Sequence, residues 1–187
     1  KKYSVLFFCR LWDPDELSEK NREDAKKVNK TRIEIIRALS RKLGVKFLGG
    51  IQSSKYAEKE APDLIIKDKS LTFRDNYLRL VSESSVVIST SGLLGSIGWK
   101  FGEYVALGKA IVSEPVLNIV PGNFSPNKNF FEFNTSEECV AIVDYLIDSE
   151  SEILKLEENN SYYFWNYLEP KTLMRKCIKT AMESEQS

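Results

Sequence analysis

Short apolar runs alternate with stretches of helical periodicity along most of this chain. Ser4 to Cys9 (SVLFFC) is a nearly continuous apolar run, the pattern of a strand buried on both faces. A polar stretch follows, then helical spacing from about Thr31 to Leu43, with Ile33, Ile36, Leu39 and Leu43 on one stripe. Gly44 ends that helix. Val45 to Leu48 predicts a second strand, closed by Gly49 and Gly50, and Leu64 to Ile66 a third. The next helix covers Arg74 to Glu83 with Tyr77, Leu78 and Val81 inward, and Val86 to Ser89 is again a buried strand. Thr90 to Gly98 is rich in Gly and Ser and leads into a helix from Trp99 to Leu107, stopped by Gly108. Ala110–Ser113 and Phe130–Phe133 read as strands. Thr135 and Glu138 form a capping box that opens a helix to about Ile147. Ser151 to about Met182 is helical with a break at Pro170.

Strands that alternate with helices imply parallel pairing and right-handed crossovers. The expected fold class is α/β: a Rossmann-like doubly wound parallel sheet with a helical C-terminal extension. Residues 1–150 form the Rossmann-like unit of this reading, and residues 151–187 the helical extension, packing back on the domain. The 187 residues suit one ordinary domain. With 27 basic and 27 acidic residues, the neutral balance gives no support to nucleic-acid binding.

The absence of His removes the commonest general base and the usual zinc ligand. Cys9, Cys139 and Cys177 are odd in number and far apart, so neither a disulfide framework nor a metal spacing can be built from them. Reduced thiols and a cytoplasmic location are expected. A strand-like segment begins almost at Lys1, so no signal peptide is expected, and the chain reads as a fragment or domain of a longer protein.

Chemistry concentrates in one region. Five of the nine glycines lie between Gly92 and Gly108, and from Ser89 to Gly122 only Lys100, Glu103, Lys109 and Glu114 are charged. A Gly/Ser-rich connection between a buried strand and a helix lets a ligand approach the backbone. There the free N–H groups and the helix dipole favour an anion. Ser91, Gly92, Gly95 and Ser96 are therefore candidate phosphate-cradle residues. A tight turn without a ligand is the competing reading. The spacing matches neither G-x-G-x-x-G nor a Walker A loop. Lys100 and Glu103 share a face of the following helix. Lys100 can add a point charge to a bound phosphate. Glu103 can accept from two neighbouring hydroxyls, such as those of ribose. The alternative is a surface ion pair worth about 0.3 kcal/mol.

Glu103 to Ser113 (EYVALGKAIVS) resembles the E-A-x-A-x-G-x-P-V-V-x-[ST] segment of GT-B glycosyltransferases, in their C-terminal, nucleotide-sugar-binding domain. Gly98 to Glu103 (GWKFGE) is similar to an R-x-x-E version found in several bacterial sugar transferases of the group 1, family 4-like kind, with Lys100 in place of Arg. Val5 to Leu11 (VLFFCRL) is similar to the F-x-G-R-L strand end that opens the same domain. The resemblance implies one half of a GT-B fold. It implies that Arg10 approaches a donor diphosphate and that Glu103 holds the ribose. The implied activity is sugar transfer from a UDP- or GDP-linked donor to an acceptor hydroxyl, in polysaccharide or glycoconjugate synthesis. No metal and no cofactor beyond the substrate are implied. The acceptor domain and the catalytic base lie outside this chain, so the fragment alone is expected to bind donor but to turn it over poorly or not at all. Peripheral association with the inner face of the membrane, through the missing half, is a further expectation.

The chain departs from the family pattern in three ways, of which the missing acceptor domain is one. Gly95 stands where an E-x7-E pattern has its first Glu, and the usual Lys after G-R-L has several candidates: Lys20, Lys26 and Lys27. Competing readings follow from other residues. Asp13 and Asp15 superficially resemble a D-x-D metal site, but Asp13, Pro14 and Glu16 better match a helix start. Trp99, Phe101 and Tyr104 are expected in the core more than on a base. The cluster Tyr162, Tyr163, Phe164, Trp165 and Tyr167 is expected to pack on the sheet or on the missing domain. The alternative function is a non-catalytic nucleotide-sugar-binding module, or the donor-binding subunit of a split two-chain transferase.

Overall fold

The computed structural model describes residues 3–184. Five strands form one parallel sheet in the order β2-β1-β3-β4-β5: β1 Tyr3–Cys9, β2 Phe47–Ile51, β3 Ser84–Ser89, β4 Ala110–Ser113 and β5 Phe130–Glu132. The order reverses at β1, which pairs with β2 on one side (Val5 opposite Phe47) and β3 on the other (Val5 opposite Val86). The carboxyl ends of β1 and β3 therefore flank the topological switch point, where open α/β sheets bind ligands.

Alternation along β1 explains why both faces are covered. Val5, Phe7 and Cys9 point to one core, with Ile35, Ile36 and Leu39 of helix α1 (Glu19–Leu43) and Val143 and Leu146 of α5 (Ser136–Ile147). Leu6 and Phe8 point to the other, with Tyr77, Leu80 and Val81 of α3 (Arg74–Glu83) and Phe101, Tyr104 and Val105 of α4 (Trp99–Ala106). A short helix, α2 (Lys55–Glu60), follows β2. The tail is α6 (Glu150–Tyr163), one wide π-helical turn (Phe164–Leu168) and α7 (Pro170–Ser184), so the break falls at the expected proline.

Three expectations need correction. Helix α1 starts at Glu19, twelve residues before the expected Thr31, because its first half carries a polar face to solvent and inserts only Ala25, Val28 and Asn29. The second strand starts at Phe47. Gly44 to Lys46 form a 3-10 turn that leaves Val45 93% exposed. Leu64 to Ile66 make no strand: Pro62–Leu64 is a 3-10 turn, and only an isolated bridge joins Ile65 to Ile51.

Helix starts follow local chemistry. Asp13 accepts from the Asp15 N–H at 3.0 Å, with Pro14 in the first turn, as the helix-start reading of that segment requires. Thr135 accepts from the Glu138 N–H at 3.1 Å. The Glu138 carboxylate reaches back one residue further than a capping box requires, to the Asn134 N–H. Of the late aromatic cluster, Tyr163 is buried against Phe124 and Phe130, while Tyr162 and Trp165 are exposed. No described helix is long and apolar enough to cross a membrane.

Candidate functional site at the switch point

The connection from β3 to α4 is built for close approach. Leu94 (φ +56°) and Gly95 (φ +70°) are successive left-handed residues within the 3-10 turn Leu93–Gly95. A Cβ on Gly95 would meet only the tip of the exposed Leu117 side chain, so the left-handed backbone is what favours glycine here. Gly95 offers no carboxylate at the position where the E-x7-E pattern has its first Glu.

Several amides of the connection are already engaged. The Ser91 N–H donates to Glu114 Oε2 (2.7 Å), Gly92 to the Ser96 carbonyl (2.8 Å), Leu94 to Asp24 Oδ2 (2.7 Å) and Ser96 to the Leu93 carbonyl (3.2 Å). Further along, Gly98 opens α4 without a side-chain cap; the Phe101 N–H donates to the Gly98 carbonyl (3.0 Å), which leaves the Trp99 and Lys100 amides of the first turn as the open donors. Ser91, Gly92 and Gly95 line a cavity of about 240 Å³ together with Asp24, Lys27 and Glu114.

Helix α4 carries both predicted charges. Lys100 is half-buried: its Nζ donates to the Phe8 carbonyl at 3.0 Å and sits 4.8 Å from the centre of the Tyr77 ring. Burial holds its ammonium below the usual 10.5. Cys9 and Glu103 oppose that shift, and Arg32 and Arg10 reinforce it. Lys100 thus feels Glu103 and both arginines.

The Glu103 side chain is turned inward and only 14% exposed. Arg74 Nη1 lies 2.7 Å from Oε1. The approach is a contact of charges rather than an aligned hydrogen bond, since both carboxylate oxygens are buried without a hydrogen-bond partner. Such an acceptor calls for a donor, which water or a ligand can supply. Next to it, Tyr77 and Tyr104 share a hydroxyl–hydroxyl bond of 2.6 Å that ties α3 to α4.

Arg10 is exposed at the end of β1 and lies over the Trp12 ring, 4.0 Å from its centre. It lines a cavity of about 410 Å³ with Trp12, Gln52, Lys55 and Tyr56. A second cavity, about 270 Å³, lies beyond β2 between Gln52, Ile66, Lys69, Thr72 and Phe73. Phe73, at its edge, is the residue before Arg74 and the N-cap of α3. Phe101 and Tyr104 are core residues, whereas Trp99 is 67% exposed.

Four participants escaped the sequence reading: Asp24, Arg32, Arg74 and Glu114. One signal for Arg32 was legible. It falls on the inward stripe of α1, in register with Val28, Asn29, Ile35 and Ile36, where a cation is out of place.

No protein-family model matches the sequence, and no curated protein matches it. Solved structures do. The C-terminal domain of a glycosyl transferase group 1 family protein (LpcC) from Francisella tularensis is 13% identical, with a TM-score of 0.60 over 88% of this chain and 85% of that one. Alr3699/HepE of Anabaena, solved with UDP and glucose, is 13% identical with a TM-score of 0.62, over 96% of this chain and 48% of its own. The pneumococcal O-GlcNAc transferase GtfA, solved with UDP and GlcNAc, is 14% identical with a TM-score of 0.51, over 100% of this chain and 37% of its own. At these identities the likeness establishes the fold, that of the C-terminal half of a GT-B glycosyltransferase. The chain spans less than half the length of the last two proteins.

Proposed function

We propose that this chain is the donor-binding domain of a glycosyltransferase, and that it holds a UDP- or GDP-linked sugar across the crest of the sheet. One observation carries the reading: an inward carboxylate, Glu103, has both oxygens without a hydrogen-bond donor and lies one helical turn from the half-buried Lys100. A vicinal diol supplies two donors for those oxygens. The diphosphate then meets Lys100, the first-turn amides of α4 and Arg10. The cavity beside Phe73 receives the base, whose face the exposed phenyl ring can stack on. The structures of Alr3699/HepE and GtfA with UDP lend support through their shared fold.

Mechanistically, this half supplies electrostatics. Negative charge builds on the leaving diphosphate as the glycosidic bond breaks. Arg10, Lys100 and the α4 amides stabilise it in a partly dry site, where such contacts are stronger than in water. The acceptor hydroxyl and its base come from another domain, so this chain binds donor without turnover. Polysaccharide or glycoconjugate assembly is the setting we infer for such a transfer. Thermal-shift measurements with UDP, GDP and ADP at millimolar concentration test the reading. A shift with UDP or GDP that Glu103→Ala abolishes supports it, and no shift with any of them rejects it.

A further inference from the structure

Arg32 is 7% exposed, and its guanidinium spends its donors on two loops. Nε donates to Thr90 Oγ1 (2.9 Å), Nη1 to the Arg10 carbonyl (2.7 Å) and Nη2 to the Ser91 carbonyl (2.9 Å). Arg10 leaves the end of β1, and Thr90 and Ser91 leave the end of β3. These are the two strand ends that flank the switch point. Among the described residues no carboxylate is in ion-pair contact with the guanidinium, and Glu114 acts on it only at a distance. A buried cation held by neutral oxygens alone stabilises a fold poorly, which argues for a role at the site.

We propose that Arg32 is a positioning residue of the donor site, a proposal that rests on the donor-binding reading above. It clamps the start of the β3–α4 connection onto the end of β1 and so aims the first turn of α4 at the anion. Ser91 is gripped at both main-chain groups, its carbonyl by Arg32 and its N–H by Glu114. Asp24, from the same helix as Arg32, grips the Leu94 N–H. Helix α1 therefore holds the connection at two points. Only a planar fork reaches three acceptors that lie in different directions, so lysine cannot replace it.

The test pairs hydrogen exchange with ligand titration on the whole chain. Arg32→Met keeps the volume and removes the buried charge. We expect exchange over residues 89–98 to quicken about tenfold in this variant, while α5 peptides stay unchanged. Dissociation constants for UDP and inorganic pyrophosphate should rise about tenfold. Arg32→Lys should recover only a small part of either effect. Unchanged exchange over 89–98 overturns the proposal, as does exchange that quickens evenly along the chain. Wild-type protein that binds neither UDP, GDP nor pyrophosphate overturns the donor-site reading and the site role of Arg32 with it, whatever the loop does. Should Arg32→Met not fold, Thr90→Val removes one acceptor, with about threefold faster loop exchange expected. No change in that variant overturns the clamp.

Discussion

Arg74 Nη1 lies 2.7 Å from Glu103 Oε1, and the arginine is exposed while the glutamate is mostly buried. Arg74 comes from the start of α3 and Glu103 from the middle of α4, so the pair joins the two helices that pack on this face of the sheet. A diol that takes both carboxylate oxygens must displace this contact.

Arg74 is exposed and its contact with Glu103 is screened by solvent on that side, so a ligand should displace it readily. We expect Arg74→Ala to tighten UDP binding about threefold, as read by isothermal titration calorimetry. Weaker binding would show instead that Arg74 grips the nucleotide.

Glu103→Ala should act in opposite directions on the free and bound protein. Without ligand it removes a buried carboxylate that has no hydrogen-bond donor, so the melting temperature should hold or rise. With UDP it removes two charge-assisted hydrogen bonds. Each is worth about 1.5–3 kcal/mol, so affinity should fall at least about tenfold. A variant that loses stability but keeps its nucleotide shift would contradict this role.

Lys100 imposes a pH dependence whose sign follows from its lowered pKa. In the unfolded chain its pKa is near 10.5; in the folded chain burial holds it lower. Between the two values the unfolded state binds the extra proton, so stability rises with pH through that window. Lys100→Met should flatten this part of the profile, measured by urea melts at about pH 8 and about pH 10. UDP affinity should fall over the same window, because a neutral amine no longer attracts the diphosphate.

Thiol labelling offers a check on burial. Cys177 is exposed, whereas Cys9 and Cys139 are buried. Desolvation pushes the Cys9 thiol up to about 11, despite the nearby Arg32 and Lys100, and burial raises Cys139 as well. One thiol should react with a disulfide reagent within seconds and the other two only on unfolding. Fast modification of Cys9 would mean that the end of β1 opens in solution.

Much of this protein was legible one segment at a time. The apolar runs at Val5–Cys9, Val86–Ile88 and Ala110–Val112 are strands because only a sheet covered on both faces buries every side chain of such a run. The three-residue spacing of Lys100 and Glu103 put both on one helix, and the observed α4 carries them so. Thr135 and Asp13 cap their helices by contacts that span two or three residues. Those features depend on near neighbours, which the order of residues states directly. The clamp at Arg32 joins residues 58 and 59 positions apart, and the Arg74 contact depends on how α3 and α4 lie on the sheet. The engagement of the Ser91 and Leu94 amides by Glu114 and Asp24 has the same origin. Periodicity records which face of an element turns inward. Which polar groups then meet is decided only when the layers pack and each buried donor must find an acceptor.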